Sequence, residues 1–137
     1  MINLVKKLFV KTKDQDEIQS SFKYLRNRKS IRLIFSTIEN YSETSEIRYV
    51  GGCVRKILNH EPLDDIDLAV NLNPTECIDA LKKNNINYYE TGVEHGTVTA
   101  IIENNKFEIT SLRKDVISYG RHAKVSYTKD WLVDASR

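Results

Sequence analysis

RYVGGCVRKILNHEPLDDIDLAV, residues Arg48 to Val70, is the stretch whose reading decides the fold. Ile47, Tyr49 and Val50 make a short strand, and Gly51-Gly52 ends it where a side chain would be in the way. Cys53, Val54, Ile57 and Leu58 then recur at helical spacing and predict a short helix. A glycine turn feeding a helix N-terminus presents free backbone N–H groups and a positive dipole end, which suits a phosphate. Tight turns everywhere use paired glycines, so this signal is weak alone. In Asp65-Ile66-Asp67-Leu68-Ala69-Val70 the pattern is that of a strand: Ile66, Leu68 and Val70 face one side, Asp65 and Asp67 the other. Two carboxylates side by side on a solvent-facing strand repel each other unless a cation sits between them. A divalent metal, Mg²⁺ first, is the functional reading; an ordinary polar strand face is the plain one.

Downstream, Asn73-Pro74-Thr75-Glu76 has the form of a helix start. Asn73 is the N-cap, Pro74 the first helical residue, and Glu76 closes a capping box. That helix is expected to run to about Lys83 and to bury Ile78 and Leu81. Ile86 to Tyr89 returns as a strand. Thr97 to Glu103 and Lys106 to Leu112 then flank Asn104-Asn105, a two-residue hairpin turn. Phe107 and Ile109 face one side of that hairpin, and Lys106, Glu108 and Thr110 the other. Glu108 can therefore come beside Asp65 and Asp67 as a third carboxylate, although a Glu on such a face is usually just solvated. Upstream, Ile31, Ile34, Phe35 and Ile38 share a helix face, with Ser30 as N-cap and Asn40 to Ser45 as exit loop. Leu4, Val5, Leu8 and Phe9 form a smaller apolar stripe among lysines, consistent with a short amphipathic helix.

At 137 residues the chain is long enough for one domain with a real core, and its 40% hydrophobic and 29% charged composition is that of a globular protein. A net charge of +2 does not by itself mark a nucleic-acid binder. The basic residues are uneven: Lys6, Lys7, Lys11, Lys13, Lys23, Arg26, Arg28, Lys29 and Arg32 crowd the first third. A solvated helix face is the ordinary reading of that bias and an RNA-facing surface the sharper one. Cys53 and Cys77 fall on separate predicted helices without metal-type spacing, as reduced thiols of a cytoplasmic protein. No run is long and apolar enough to span a membrane, and the opening residues lack a signal peptide's apolar stretch.

Gly51-Gly52-x-Val54-Arg55, a short helix, then Asp65-x-Asp67-Leu68-Ala69 resembles the head domain of the bacterial CCA-adding enzyme and poly(A) polymerase family, class II nucleotidyltransferases of the polymerase-β superfamily. The likeness continues through His95-Gly96-Thr97-Val98-Thr99, the run Phe107 to Asp115 and Gly120-Arg121-His122-Ala123, over about the last two thirds of the chain. It implies an α+β fold with a mixed, mostly antiparallel sheet of about five strands and flanking helices. Residues 1–22 are expected to form a helical N-terminal extension and residues 23–137 the head domain. It also implies an enzyme in which an RNA 3′-hydroxyl, that of tRNA or of a poly(A) tail, attacks the α-phosphate of ATP or CTP. Asp65, Asp67 and Glu108 would hold two Mg²⁺ ions, replaceable by Mn²⁺, while Gly51, Gly52 and Arg55 contact the triphosphate; Arg113 is a further phosphate candidate or a half-buried structural arginine.

In the family the end of this stretch leads into an Arg-Arg-Asp motif for the nucleotide ribose, of which Arg137 would be the first arginine. The resemblance therefore implies a head-domain fragment whose base-selecting and tRNA-gripping parts lie elsewhere, with Trp131, Leu132 and Val133 as an apolar edge for a partner chain or self-association. Three departures stand inside the motifs: Lys56 for the usual Asp, Val70 for Thr and Ser111 for Thr. Two other readings are open: a non-catalytic or split-enzyme module that binds the chain carrying the missing parts, and a small stand-alone nucleotidyltransferase with a non-RNA substrate.

Overall fold

The computed structural model describes residues 13–63, 65–90, 92, 95–116 and 125–137. The stripe from Leu4 to Phe9 and the Gly120–Ala123 motif lie outside these residues. Helices α1 (Lys13–Asn27) and α2 (Lys29–Glu39) open the fold and are separated by Arg28 alone. Arg28 is extended (φ −65°, ψ 131°) and makes the elbow between them. It is also the N-cap of α2, without a side-chain cap, so the cap expected at Ser30 falls two residues too late. The cause is the preceding helix: α1 runs up to the elbow, one residue leaves helical geometry, and Ser30 is already buried inside the next turn. Continuous across residue 22, α1 sends Ile18, Phe22 and Leu25 to the core, while α2 buries Ile31, Ile34 and Ile38.

Next come β1 (Ile47–Tyr49), α3 (Gly51–Leu58), β2 (Ile66–Val70), α4 (Pro74–Lys83), β3 (Asn87–Tyr89), β4 (Thr97–Ile102) and β5 (Asn105–Ser111). One five-stranded sheet has the order β1-β2-β5-β4-β3. Only the β2–β5 pair is parallel, so the sheet is mixed and mostly antiparallel, as expected. Alternation does the sorting. Ile66, Leu68 and Val70 of β2, Phe107 and Ile109 of β5, and Val98 and Ala100 of β4 share the covered face, packed with α1, α2 and α4. The capping box of α4 is present in full: Asn73 Oδ1 accepts from Glu76 N at 2.8 Å and Glu76 Oε1 from Asn73 N at 3.1 Å. That helix buries Cys77, Ala80 and Leu81, with Ile78 half-buried.

The hairpin turn lies one residue earlier than expected. Ile102 pairs with Asn105, and Glu103 and Asn104 occupy the turn at φ 50° and 66°. Moving the turn by one residue moves the pairing by two positions, which leaves every side chain on its face. It sets bulky Phe107 opposite small Ala100 and Glu108 opposite Thr99. Beyond the sheet, β6 (Arg113–Asp115) and β7 (Val125–Tyr127) form an antiparallel ladder of their own that the sequence reading did not anticipate. Its reason is visible at Gly96: a Cβ there would stand 2.7 Å from Cε1 of Tyr127, so only glycine admits the ring. The chain then enters α5 (Trp131–Ala135), capped by Asp130, whose Oδ1 accepts from Leu132 N at 2.9 Å.

Candidate active site

Arg48, Asp67, Glu108, Thr99 and Thr97 belong to the sheet face turned away from the core. Asp67 is the direct register partner of Glu108 in the parallel pair, and Glu108 in turn faces Thr99. Asp65 stands immediately before β2, two positions from Asp67 and thus on the same side. The three carboxylates expected together therefore share one face, with Asp65 and Glu108 exposed and Asp67 half-buried. Asp65 and Glu108 line a shallow pocket of about 310 Å³ with Ile66, Tyr89, Thr99 and Lys106. Lys106, not singled out from the sequence, was legible there through the same alternation that placed Glu108.

Asp67 looks the other way along the face, toward the glycines. Val50 N donates to the Asp67 carbonyl at 3.0 Å, which pins the end of β1 beside β2. Gly51 then takes φ +66°, a conformation that favours glycine, and starts α3. A Cβ on Gly51 would lie 3.5 Å from Asp67 Oδ2, and one on Gly52 would lie 3.7 Å from the same oxygen and from Arg55 Nη2. A carboxylate and a guanidinium thus both lie close to the glycine pair at this helix N-terminus. Cys53 fixes the turn from beneath, its buried thiol donating to the Val50 carbonyl at 3.2 Å.

The other expected arginines gather elsewhere. Arg113 N donates to Asp134 Oδ1 at 2.9 Å, and Arg137 lies 3.6 Å from the same carboxyl group through Nε. Arg113 opens β6 and Arg137 follows the end of α5, near the end of the sheet where Leu112 N reaches the Val70 carbonyl. The Arg113 Nε is buried without a hydrogen-bond partner among the described residues. Trp131 of α5 lies under the Arg48 guanidinium, 4.0 Å from the ring centroid, so the C-terminal segment covers the Val70 end of this face and leaves the Asp65 end open.

Three oxygen donors on one open face fit a hard divalent cation in kind. Their side chains are not drawn into a ready cluster: among the described residues no group of three His, Cys, Asp or Glu converges closely enough to hold a metal ion.

Comparison with known proteins gives these contacts a context. The sequence matches the family model of the poly A polymerase head domain over residues 47–137. It is 37% identical over 131 residues to the mouse mitochondrial CCA tRNA nucleotidyltransferase 1, an alignment covering 95% of this chain and 29% of the mouse protein. The CCA-adding enzyme of Lactobacillus delbrueckii subsp. bulgaricus is 33% identical over 94 residues, covering 67% of this chain and 23% of the enzyme. Among solved structures, the Bacillus stearothermophilus CCA-adding enzyme in complex with CTP superposes with a TM-score of 0.61 at 22% identity, over 75% of this chain and 23% of that one. The chain thus spans less than a third of the length of the curated relatives it matches.

Proposed function

Because the chain belongs to the poly A polymerase head-domain family, we propose that it is the nucleotide-handling head of an RNA nucleotidyltransferase that adds CMP and AMP to RNA 3′ ends. The observation that carries this reading is the pairing of Asp67 with Glu108 on an open sheet face, directly beside a glycine turn flanked by Arg55. The names of the mouse and bacterial relatives favour the CCA end of tRNA over a poly(A) tail as the product.

Each residue then has a task. Backbone N–H groups at Gly51 and Gly52 donate to the triphosphate of CTP or ATP, and the absence of side chains lets phosphate oxygens come that close. Arg55 neutralises charge on the same phosphates. Asp65, Asp67 and Glu108 would hold two Mg²⁺ ions, which when bound activate the RNA 3′-hydroxyl and offset charge on the α-phosphate and the departing pyrophosphate. Asp67, the register partner of Glu108 with its carboxylate turned toward the glycines, would stand between the ions and the triphosphate. Arg137, paired with Asp134 through its guanidinium, would reach the nucleotide only by leaving that carboxylate, whereas Arg113 is held to Asp134 by its backbone N–H and points its guanidinium toward the His95 carbonyl.

The two free, buried thiols fit a reducing compartment such as the cytoplasm; the mouse and human relatives are named as mitochondrial. No helix of the described residues is long and apolar enough to cross a membrane. Leu132, 80% exposed next to Trp131, favours α5 as a seat of contact with a partner chain or a second copy.

Calorimetry with CTP and Mn²⁺ tests the reading. The purified chain is expected to bind CTP only with the metal, and Asp67→Ala to lose that binding while keeping its fold. Extension of tRNA lacking its 3′ CCA is expected well below about 1 per second, because catalysis of this kind is mostly positioning and the chain spans less than a third of the length of its curated relatives. Metal-independent CTP binding, or none, overturns the proposal.

A further inference from the structure

We infer that the elbow between α1 and α2 is a docking surface for the phosphate backbone of RNA, placed to guide a strand toward the carboxylate face. This rests on the nucleotidyltransferase reading above and adds to it the path of the substrate. Between Glu17 and Glu39 the chain carries no acidic residue, while Lys23, Arg26, Arg28, Lys29 and Arg32 all fall in that interval. Lys23, Arg26, Lys29 and Arg32 are exposed, and so is Tyr24 among them, at 75% of its full exposure. An exposed aromatic ring set among cations is the pairing that single-stranded nucleic acid uses, phosphate on charge and base on ring.

Ordinary helix electrostatics explains only half of this charge. In α1 the acids Asp14 and Asp16 lie in the first turn and Arg26 in the last, which complements the helix dipole. In α2 the arrangement is reversed: Lys29 and Arg32 sit at the positive end with no acid in the first turn. Nor do local partners neutralise the cluster. Its one ion pair among the described residues is Lys29 with Glu103, at 3.9 Å and with both side chains largely exposed. Such a pair is worth little. The positive field is left standing, at a cost to α2, and a polyanion is what would relieve it.

Position connects the elbow to the site. Glu103 belongs to the β4–β5 turn, at the end of the sheet where Asp65 enters β2 and Lys106 enters β5. Arg28 and Tyr24 border a groove that runs past Ile57 to Leu63, two residues ahead of Asp65; Asp16, Glu17 and Glu61 also line it, so its floor is of mixed charge and the cationic surface is its elbow rim. The elbow thus borders the open end of the carboxylate face, opposite to the end covered by Trp131. His60 with Asp14 and Glu17 marks the acidic limit of the surface, on the first turns of α1.

The test is binding of the full chain to tRNA lacking its 3′ CCA, followed by fluorescence anisotropy from 50 to about 300 mM KCl. Replacing Lys23, Arg26, Lys29 and Arg32 by alanine together is expected to weaken binding at least tenfold and to lower the slope of log K against log salt by about 2 to 4, near 0.7–0.9 per lost phosphate contact. The Arg26→Lys, Arg32→Lys variant is expected to keep the slope, and Tyr24→Ala to weaken binding without changing it. Unchanged affinity and slope in the fourfold variant overturns the inference. So does an equal loss when Lys82, Lys83, Lys114 and Lys129 are replaced instead, or a preference for phosphatidylserine vesicles over tRNA. Binding and chemistry are read separately: loss of metal-dependent CTP binding with this pattern intact would remove the nucleotidyltransferase reading alone.

Discussion

The two faces of the central sheet are written in the same few residues and do opposite work. On one, Phe107 and Leu68 are 1% and 0% exposed and hold the helices; on the other, their chain neighbours Glu108 and Asp67 stand as register partners, Glu108 exposed and Asp67 half-buried. A strand's period of two puts a core residue and a site residue side by side, so stability and chemistry can be altered independently within one dipeptide. That separation is open to direct attack. Phe107→Ala should cost about 3–5 kcal/mol in urea unfolding, because a ring opposite Ala100 leaves a cavity that small neighbour cannot fill. Glu108→Ala, one residue away, should change stability by less than about 0.5 kcal/mol. Comparable losses from both would mean that the open face bears load too.

On the open face the effects should appear in metal and nucleotide binding. Removing the outer partners of a metal's ligands typically costs 10–100-fold in affinity, so Asp67→Ala, which under the proposed function removes a ligand itself, should weaken Mn²⁺ at least about 100-fold by calorimetry. Unfolding should hardly shift, since carboxylates that repel each other contribute little or nothing without a cation. An unchanged Mn²⁺ isotherm would take Asp67 out of the site. Gly51→Ala lies where the two faces meet the helix start. At φ +66° the added Cβ should cost about 1–2 kcal/mol of stability. CTP should bind more weakly as well, the new methyl standing among the N–H groups; undiminished binding would free the turn from that role.

The smallest effect belongs to the covered face. Burial pushes the Cys77 thiol up to about 12. A group whose folded pKa is raised favours the folded state fully below its unfolded value, near 9. Stability should therefore stay level below pH 9 and decline above it, and Cys77→Ala should flatten that decline. A thiol reagent should label Cys77 at the rate of unfolding; fast labelling of the native chain would show α4 opening on its own.

Much of this arrangement is legible in the residues because it depends on local rules. The capping box at Asn73 and Glu76 and the alternation through Asp65–Val70 and Lys106–Thr110 need no knowledge of the rest of the molecule. What escaped the sequence depends on neighbours. Ser30 is a good N-cap in isolation, but α1 occupies the space until Asn27 and hands the role to Arg28. Asn104-Asn105 is the better turn on residue preference, yet pairing Phe107 with Ala100 draws the turn to Glu103-Asn104. The β6–β7 ladder has only three residues a side, and its anchor, Tyr127 against Gly96, joins positions that no local pattern connects. Within the site, alternation gives the face of each carboxylate but not its heading, and Asp67 turns toward the glycines while Asp65 and Glu108 turn toward the pocket.

The parallel register of β2 with β5 also has a bearing on the order in which the molecule is made. The β4–β5 hairpin closes over a two-residue turn and can form within microseconds. Asp67 and Glu108 are about forty residues apart, and joining their strands means closing that whole loop before any contact repays the entropy. Loop-closure entropy thus predicts that the carboxylate face forms late, after the hairpin that carries half of it. Until then both β2 and β5 present bare strand edges, the form in which one chain most readily pairs with another. A nascent or stressed population of this protein is most exposed to aggregation along the two strands that carry Asp67 and Glu108.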